Sequence, residues 1–210
     1  FYRQPKLYMK LPSGGKWYPT GSLEMTPTEE LPVYAMTGKD ELLLKTPDGL
    51  LSGQSTVDVI QSCIPQIKNA WAMPTIDVDA VLIAIRIATY GEEMSVDSKC
   101  PKCSHESRHG INLNTMLLNL RSPDYSKTAI IDNLRFLFKP QNYTQSNQNS
   151  LNNFEEQKII QLLNNEDLDP DVRKAQFDIH LTKIIDNSIN ILAQSTECII
   201  TEDGNEVRDV

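Results

Sequence analysis

The first sixty residues alternate short apolar runs with dense turn and cap signals, and that alternation narrows what the segment can build. Leu11-Pro12-Ser13-Gly14-Gly15-Lys16-Trp17-Tyr18-Pro19 is followed by Met36-Thr37-Gly38-Lys39-Asp40-Glu41-Leu42, then by Thr46-Pro47-Asp48-Gly49-Leu50-Leu51-Ser52-Gly53. Ser13-Gly14-Gly15 between Leu7–Leu11 and Lys16–Tyr18 predicts a hairpin, because glycine supplies the positive φ of a tight turn. Thr37 predicts a helix cap with Asp40 at the third helical position, and Pro47 should stop that helix near Lys45. No nucleophile, base and metal ligand come together here. The segment specifies a shape, not a reaction.

With 210 residues, 40% of them hydrophobic and 23% charged, the chain is long enough for one large domain or two small ones. Its net charge is −8, from 28 acidic against 20 basic residues, and no basic run exceeds two residues. That balance opposes nucleic-acid binding, which needs clustered Lys and Arg to release counterions. It suits docking onto basic protein surfaces. The strongest apolar run, Val78 to Ala88, contains Asp79 and Arg86. A membrane span takes about 20 apolar residues, so a core helix is expected and no membrane span.

The pattern reads as an α+β fold in three blocks. Residues 1–97 carry the hairpin, a short strand at Val33–Met36 and helices over 37–46, 55–64 and 76–90. The last of these is apolar nearly all round and is capped by Gly91. Residues 98–140 hold a Cys-x-x-Cys knuckle among short strands, ending with Leu134–Phe138 before Pro140. Residues 141–210 begin with an Asn/Gln/Ser-rich stretch, read as an exposed linker or the start of a long helix. Two helices follow. One, near 150–164, places Leu151, Phe154, Ile159 and Leu162 on one arc. The other, 171–194, carries a stripe of Phe177, Leu181, Ile184, Ile185, Ser188 and Leu192. A terminal hairpin pairs Glu197–Ile200 with Val207 around Asp203-Gly204.

Cys100-Pro101-Lys102-Cys103 is the strongest chemical signal. Two thiolates so spaced can share one Zn²⁺ at about 2.3 Å, but a tetrahedral site needs four ligands. His105 and His109 follow too closely to complete it without crowding, and Cys63 and Cys198 are remote in sequence. A structural zinc site, an unmetallated turn and a redox pair all remain readings of Cys100 and Cys103. The redox reading is disfavoured because Ser104-His105-Glu106-Ser107 is a weak helix start.

Other motifs fail. Gly14-Gly15-Lys16 lacks the earlier glycine of a phosphate loop, and Trp17 replaces its Ser or Thr. Asp167-Leu168-Asp169-Pro170-Asp171 lacks a calcium loop's central glycine and reads as acidic capping of the next helix. His180 lies inside that helix, and no signature surrounds a nucleophile, so no catalytic residue is assigned. Trp17 and Trp71 read as core or as protein-contact anchors.

The ordered series LPSGGKWYP, MTGKDELLL, TPDGLLSG, the helix with Val57-Asp58-Val59-Ile60-Gln61-Ser62-Cys63-Ile64, Ala88-Thr89-Tyr90-Gly91, Cys100-Pro101-Lys102-Cys103, Asn149–Gln157 and Asp203–Asp209 resembles the baseplate hub protein family of T-even-type contractile-tail phages. The resemblance implies a noncatalytic structural subunit of the hub or a factor that assists hub assembly. Its partners would be other baseplate and hub proteins in a multi-subunit assembly. It implies host cytoplasm during assembly and the virion tail afterwards, in keeping with the absence of a legible secretory leader. It also implies that the chain runs on past Val210 into another helix, and that a second Cys-x-x-Cys further on completes a zinc ribbon with Cys100 and Cys103. The alternative is a cytosolic zinc-ribbon adaptor that is no part of a virion.

Overall fold

In the computed structural model, which describes residues 3–163 and 170–208, the first strand finds its partner beyond the glycine turn. β1 (Leu7–Met9) pairs antiparallel with β2 (Leu31–Val33), with Leu7 opposite Val33 and Met9 opposite Leu31. The hairpin expected across Ser13–Gly15 does not form. Trp17 has φ 65°, a conformation no strand residue adopts, so Lys16–Tyr18 cannot run back along β1. Leu31 and Val33 are fully buried, and their burial decides the pairing. The strand expected at Val33–Met36 therefore lies about two residues earlier.

Thr37 caps α1 (Gly38–Leu43) with both halves of a capping box. The Asp40 N–H donates to Thr37 Oγ1 at 3.3 Å, and the Thr37 N–H donates to Asp40 Oδ2 at 2.7 Å. Pro47 does more than end a helix: it opens α2 (Pro47–Leu51), because a first-turn position needs no N–H donor. α3 (Gln54–Cys63) follows, then a 3-10 turn at Ala70–Ala72 that carries half-buried Trp71. α4 (Thr75–Tyr90) is the expected apolar helix, and Gly91 closes it with φ 89° while its N–H donates to Ile87 O. Val57, Ile60 and Ile64 from the α3 region, Val81 from α4, and Ile67 and Met73 between them form the core beneath β2.

After α4 the chain forms a ribbon, β3 (Glu93–Lys99) against β4 (Glu106–Asn112), with seven paired positions from Glu93↔Asn112 to Lys99↔Glu106. Leu113 then begins α5 (Leu113–Asn119). The side chain of Asn112 accepts the Thr115 N–H at 2.9 Å and caps it.

The chain divides after Ser122 into two units, so the 98–140 stretch contributes to both. The second unit has a four-stranded antiparallel sheet ordered β5-β6-β7-β8, made of Thr128–Ile131, Leu134–Phe138, Thr196–Ile200 and Glu206–Val207. The terminal hairpin forms as the sequence predicts, with Ile199 opposite Val207 and Gly204 at φ 79°. Between β6 and β7 lie α6 (Tyr143–Leu163) and α7 (Pro170–Ser195). The Asn/Gln/Ser-rich stretch is the start of α6 rather than a linker. Asn142 Oδ1 accepts the Gln145 N–H at 2.9 Å, and Gln145 Oε1 accepts the Asn142 N–H at 3.0 Å. Asp167 to Asp169 of the acidic cap lie outside the described residues, as does the side chain of Leu162.

The seam between α6 and α7 is polar. Asn149 donates to Gln194 at 3.1 Å, Asn187 donates to Asn153 at 2.8 Å, and His180 Nδ1 meets Glu156 Oε2 at 2.5 Å. Lys183 adds a second contact to Glu156 at 3.7 Å. Asn149, His180 and Asn187 are buried. Most of the apolar stripe predicted on α7 is exposed, namely Phe177, Leu181, Ile185 and Leu192, whereas Ile184 is half-buried; Phe154 on α6 is exposed too. The fold is thus α+β, with helices and short antiparallel strands, and no described helix is long and apolar enough to cross a membrane.

Gly49 gives a direct test of the packing between α2 and α3. A Cβ at that position would lie 2.1 Å from Ser55 Oγ, which belongs to a buried residue. Gly49→Ala should cost about 1–3 kcal/mol in urea unfolding through overpacking. Adding Ser55→Ala should restore most of that loss, because the two substitutions share one clash.

Candidate functional site

The glycine turn is held by a carboxylate more than sixty residues away. Asp77, in the first turn of α4, is wholly buried. It accepts the Ser13 N–H at 2.9 Å on Oδ1 and the Ser13 and Tyr18 hydroxyls on Oδ2, the latter at 3.0 Å. The Ser13 hydroxyl also accepts the Gly15 N–H at 3.1 Å. Burial pushes the Asp77 carboxyl above its ordinary range, against the opposing pull of these donors. Burial, with Asp77 alongside, also raises the Tyr18 hydroxyl. Ser13 is itself buried and spends its hydroxyl on the Asp77 carboxylate and the Gly15 N–H, so the cluster braces the turn.

A second network ties the chain start to α1 and α3. Arg3 donates to Ser62 O at 2.9 Å and to Ala35 O, and lies 5.6 Å from the Tyr34 ring centroid. Ser62 donates to Asp40 at 3.1 Å. Burial works against the Asp40 charge, but the Thr37 and Ser62 donors and the Arg3 charge carry its pKa below the ordinary value. These braces display Leu42, Leu50 and Leu51 on the surface of the unit.

Cys100 and Cys103 occupy the tip of the β3–β4 ribbon. The Cys100 N–H donates to His105 O at 2.9 Å, and the Ser104 N–H donates to Cys100 O at 2.8 Å, with Ser104 at φ 57°. Backbone N–H groups of Cys103 and Lys102 turn toward the Cys100 sulfur, and these hydrogen bonds draw its pKa below that of an ordinary thiol. Both residues are solvent-accessible. The shaft below is paired by Arg108 on Asp97 at 2.7 Å and Lys99 with Glu106 at 3.7 Å.

The other candidates lie elsewhere. His109 bonds Ser107 at 2.9 Å on a ribbon face, and His180 is in the α6–α7 seam. Cys63 is buried at the end of α3 beside Arg3, and burial pushes its thiol up to about 11. Cys198 is buried in β7. Among the described residues no three His, Cys, Asp or Glu side chains gather as a metal site. Trp17 stays partly exposed next to the braced turn. Sequence reasoning missed Asp77. The available signal was a carboxylate in the first turn of a largely apolar helix.

Residues 4–209 match the family described as T4 bacteriophage base plate protein, and the chain belongs to that family. It is a phage baseplate protein. Comparison with curated proteins and with solved structures gives no match.

Removing one donor of the Asp77 brace leaves a buried carboxylate short of a partner. Ser13→Ala and Tyr18→Phe should each cost about 1–3 kcal/mol, and Asp77→Ala should cost more because it orphans three donors. Urea unfolding measures each loss. A loss below about 0.5 kcal/mol for all three would contradict the brace.

Proposed function

We propose that this chain is a noncatalytic component of the baseplate hub, or a factor that assists hub assembly, and that it acts in the virion tail or on the way to it. The observation that carries this reading is the family match over residues 4–209. The geometry supports it. The motif-rich N-terminal unit spends Ser13, Asp77, Asp40 and Ser62 on internal bracing, which fixes a surface shape and leaves those groups no reaction to perform. Its partners are other baseplate and hub proteins, and its acidic balance favours basic protein faces over nucleic acid.

Tails and tail intermediates purified from cells infected by the encoding phage provide the test. A stoichiometric signal by mass spectrometry in mature tails supports the structural subunit. A signal confined to intermediates supports the helper. Absence from both overturns the reading and returns the cytosolic adaptor.

Cys100 and Cys103 fit one half of a structural zinc site. Two thiols flank a proline turn, and backbone N–H groups already face the Cys100 sulfur, an arrangement that stabilises thiolate over thiol. In this proposal they hold Zn²⁺ together with two ligands from outside the described residues, and the metal staples the ribbon tip. Protein purified without chelator should then contain about one zinc per chain, and Cys100→Ser or Cys103→Ser should remove it. No zinc by elemental analysis would reduce the knuckle to a turn.

A further inference from the structure

The α6–α7 hairpin buries polar residues in its seam and leaves large apolar residues outside. Its seam is lined by Asn149, Asn153 and Glu156 from α6 and by His180, Asn187 and Gln194 from α7. The α7 members recur every seven residues, as do Asn149 and Glu156, which is the spacing of a coiled-coil seam. One column of the seam therefore carries amides and a His–Glu contact where Leu or Ile is usual, and the companion column on α7 holds the half-buried Ile184 and Ile191. The large apolar residues of α7 lie on its outer side: Phe177, Leu181, Ile185, Ile189 and Leu192 are 37%, 40%, 52%, 58% and 63% exposed. A hairpin meant to stand alone would put these inward.

Their spacing is close to its own mirror image. Leu181 and Ile189 are equidistant from Ile185, and Phe177 and Leu192 flank them within one residue of symmetry. A two-fold axis through Ile185 would bring two such stripes together antiparallel, each knob meeting its counterpart from the other copy. Charge selects the same arrangement. Lys174 and Asp178 lie in line with the stripe near its N-terminal end, so a parallel pair would set each against its own like charge, whereas the antiparallel pair moves them to opposite ends. The stripe runs about 22 Å along the helix. Half exposed on average, its five side chains offer on the order of 500 Å² per copy, so a symmetric pair could bury up to about 1,000 Å² through them, the lower bound for a specific interface.

We propose that the outer face of α7 is the seat of a second copy of this chain, paired antiparallel about Ile185. The pairing is a property of this chain alone and stands or falls independently of the baseplate reading. The polar inner seam fixes the register of α6 on α7, and the apolar outer stripe supplies the contact between copies.

Sedimentation velocity of the whole chain between about 1 and 100 µM should show a reversible monomer–dimer equilibrium. Ile185→Glu and Ile189→Glu should each weaken it by about tenfold or more while helical circular dichroism stays unchanged, because both residues are already half exposed. Ile179 is 50% exposed but lies roughly 120° around the helix from Ile185, so Ile179→Glu should leave the dimer intact. A monomer across the whole range overturns the proposal. So does a dimer indifferent to Ile185→Glu and Ile189→Glu, one equally lost with Ile179→Glu, or an open-ended series of larger species.

Discussion

One carboxylate, withdrawn from water, holds the N-terminal unit in its shape. Enclosing Asp77 carries a desolvation penalty of several kcal/mol unless donors replace the lost water. The donors come from Ser13 and Tyr18, on a segment whose backbone is bent through positive φ at Gly14, Gly15 and Trp17. Neither half persists without the other. The bent segment is tied to α4 through these hydrogen bonds, and the buried carboxyl takes its donors from that segment. The turn is consequently as fixed as the helix that carries Asp77.

The second unit solves a different problem. Its helices meet through amides and a His–Glu pair, which contribute little net stability but tolerate only one register. Slipping α7 by a single turn would strand Asn187 and His180 against groups that cannot satisfy them. Across its sheet, Ala129, Phe136, Ile199 and Val207 form one row through all four strands, and Phe136 stacks with Phe138 at 6.5 Å. Specificity here is carried by polar matching between helices and by apolar rows between strands.

What could be read in advance follows from this division. Features written within a few residues were legible: the Thr37–Asp40 capping box, the apolar α4 with its Gly91 cap, the Leu134–Phe138 strand and the hairpin at Gly204. Features that depend on distant partners were not. β1 pairs with residues more than twenty positions on, and nothing local distinguishes that choice from a hairpin at Ser13–Gly15. The start of α6 was obscured because its seam is made of the residues that composition assigns to linkers. The stripe on α7 was visible as a pattern, but periodicity reports which residues share a face and not which face meets the neighbour. At the knuckle, the Cys pair and its turn were legible.

The β3–β4 ribbon carries a different consequence. Its two strands have no third neighbour among the described residues, and its shaft is held by exposed ion pairs such as Asp97–Arg108 and Lys99–Glu106, each worth little and weakened by salt. Most of its side chains remain in contact with solvent. A two-stranded ribbon of this kind opens at a free energy far below that of the core, so its amides exchange with solvent while α3 and α4 stay closed. The ribbon is thus the part of this unit whose shape the rest of the unit constrains least.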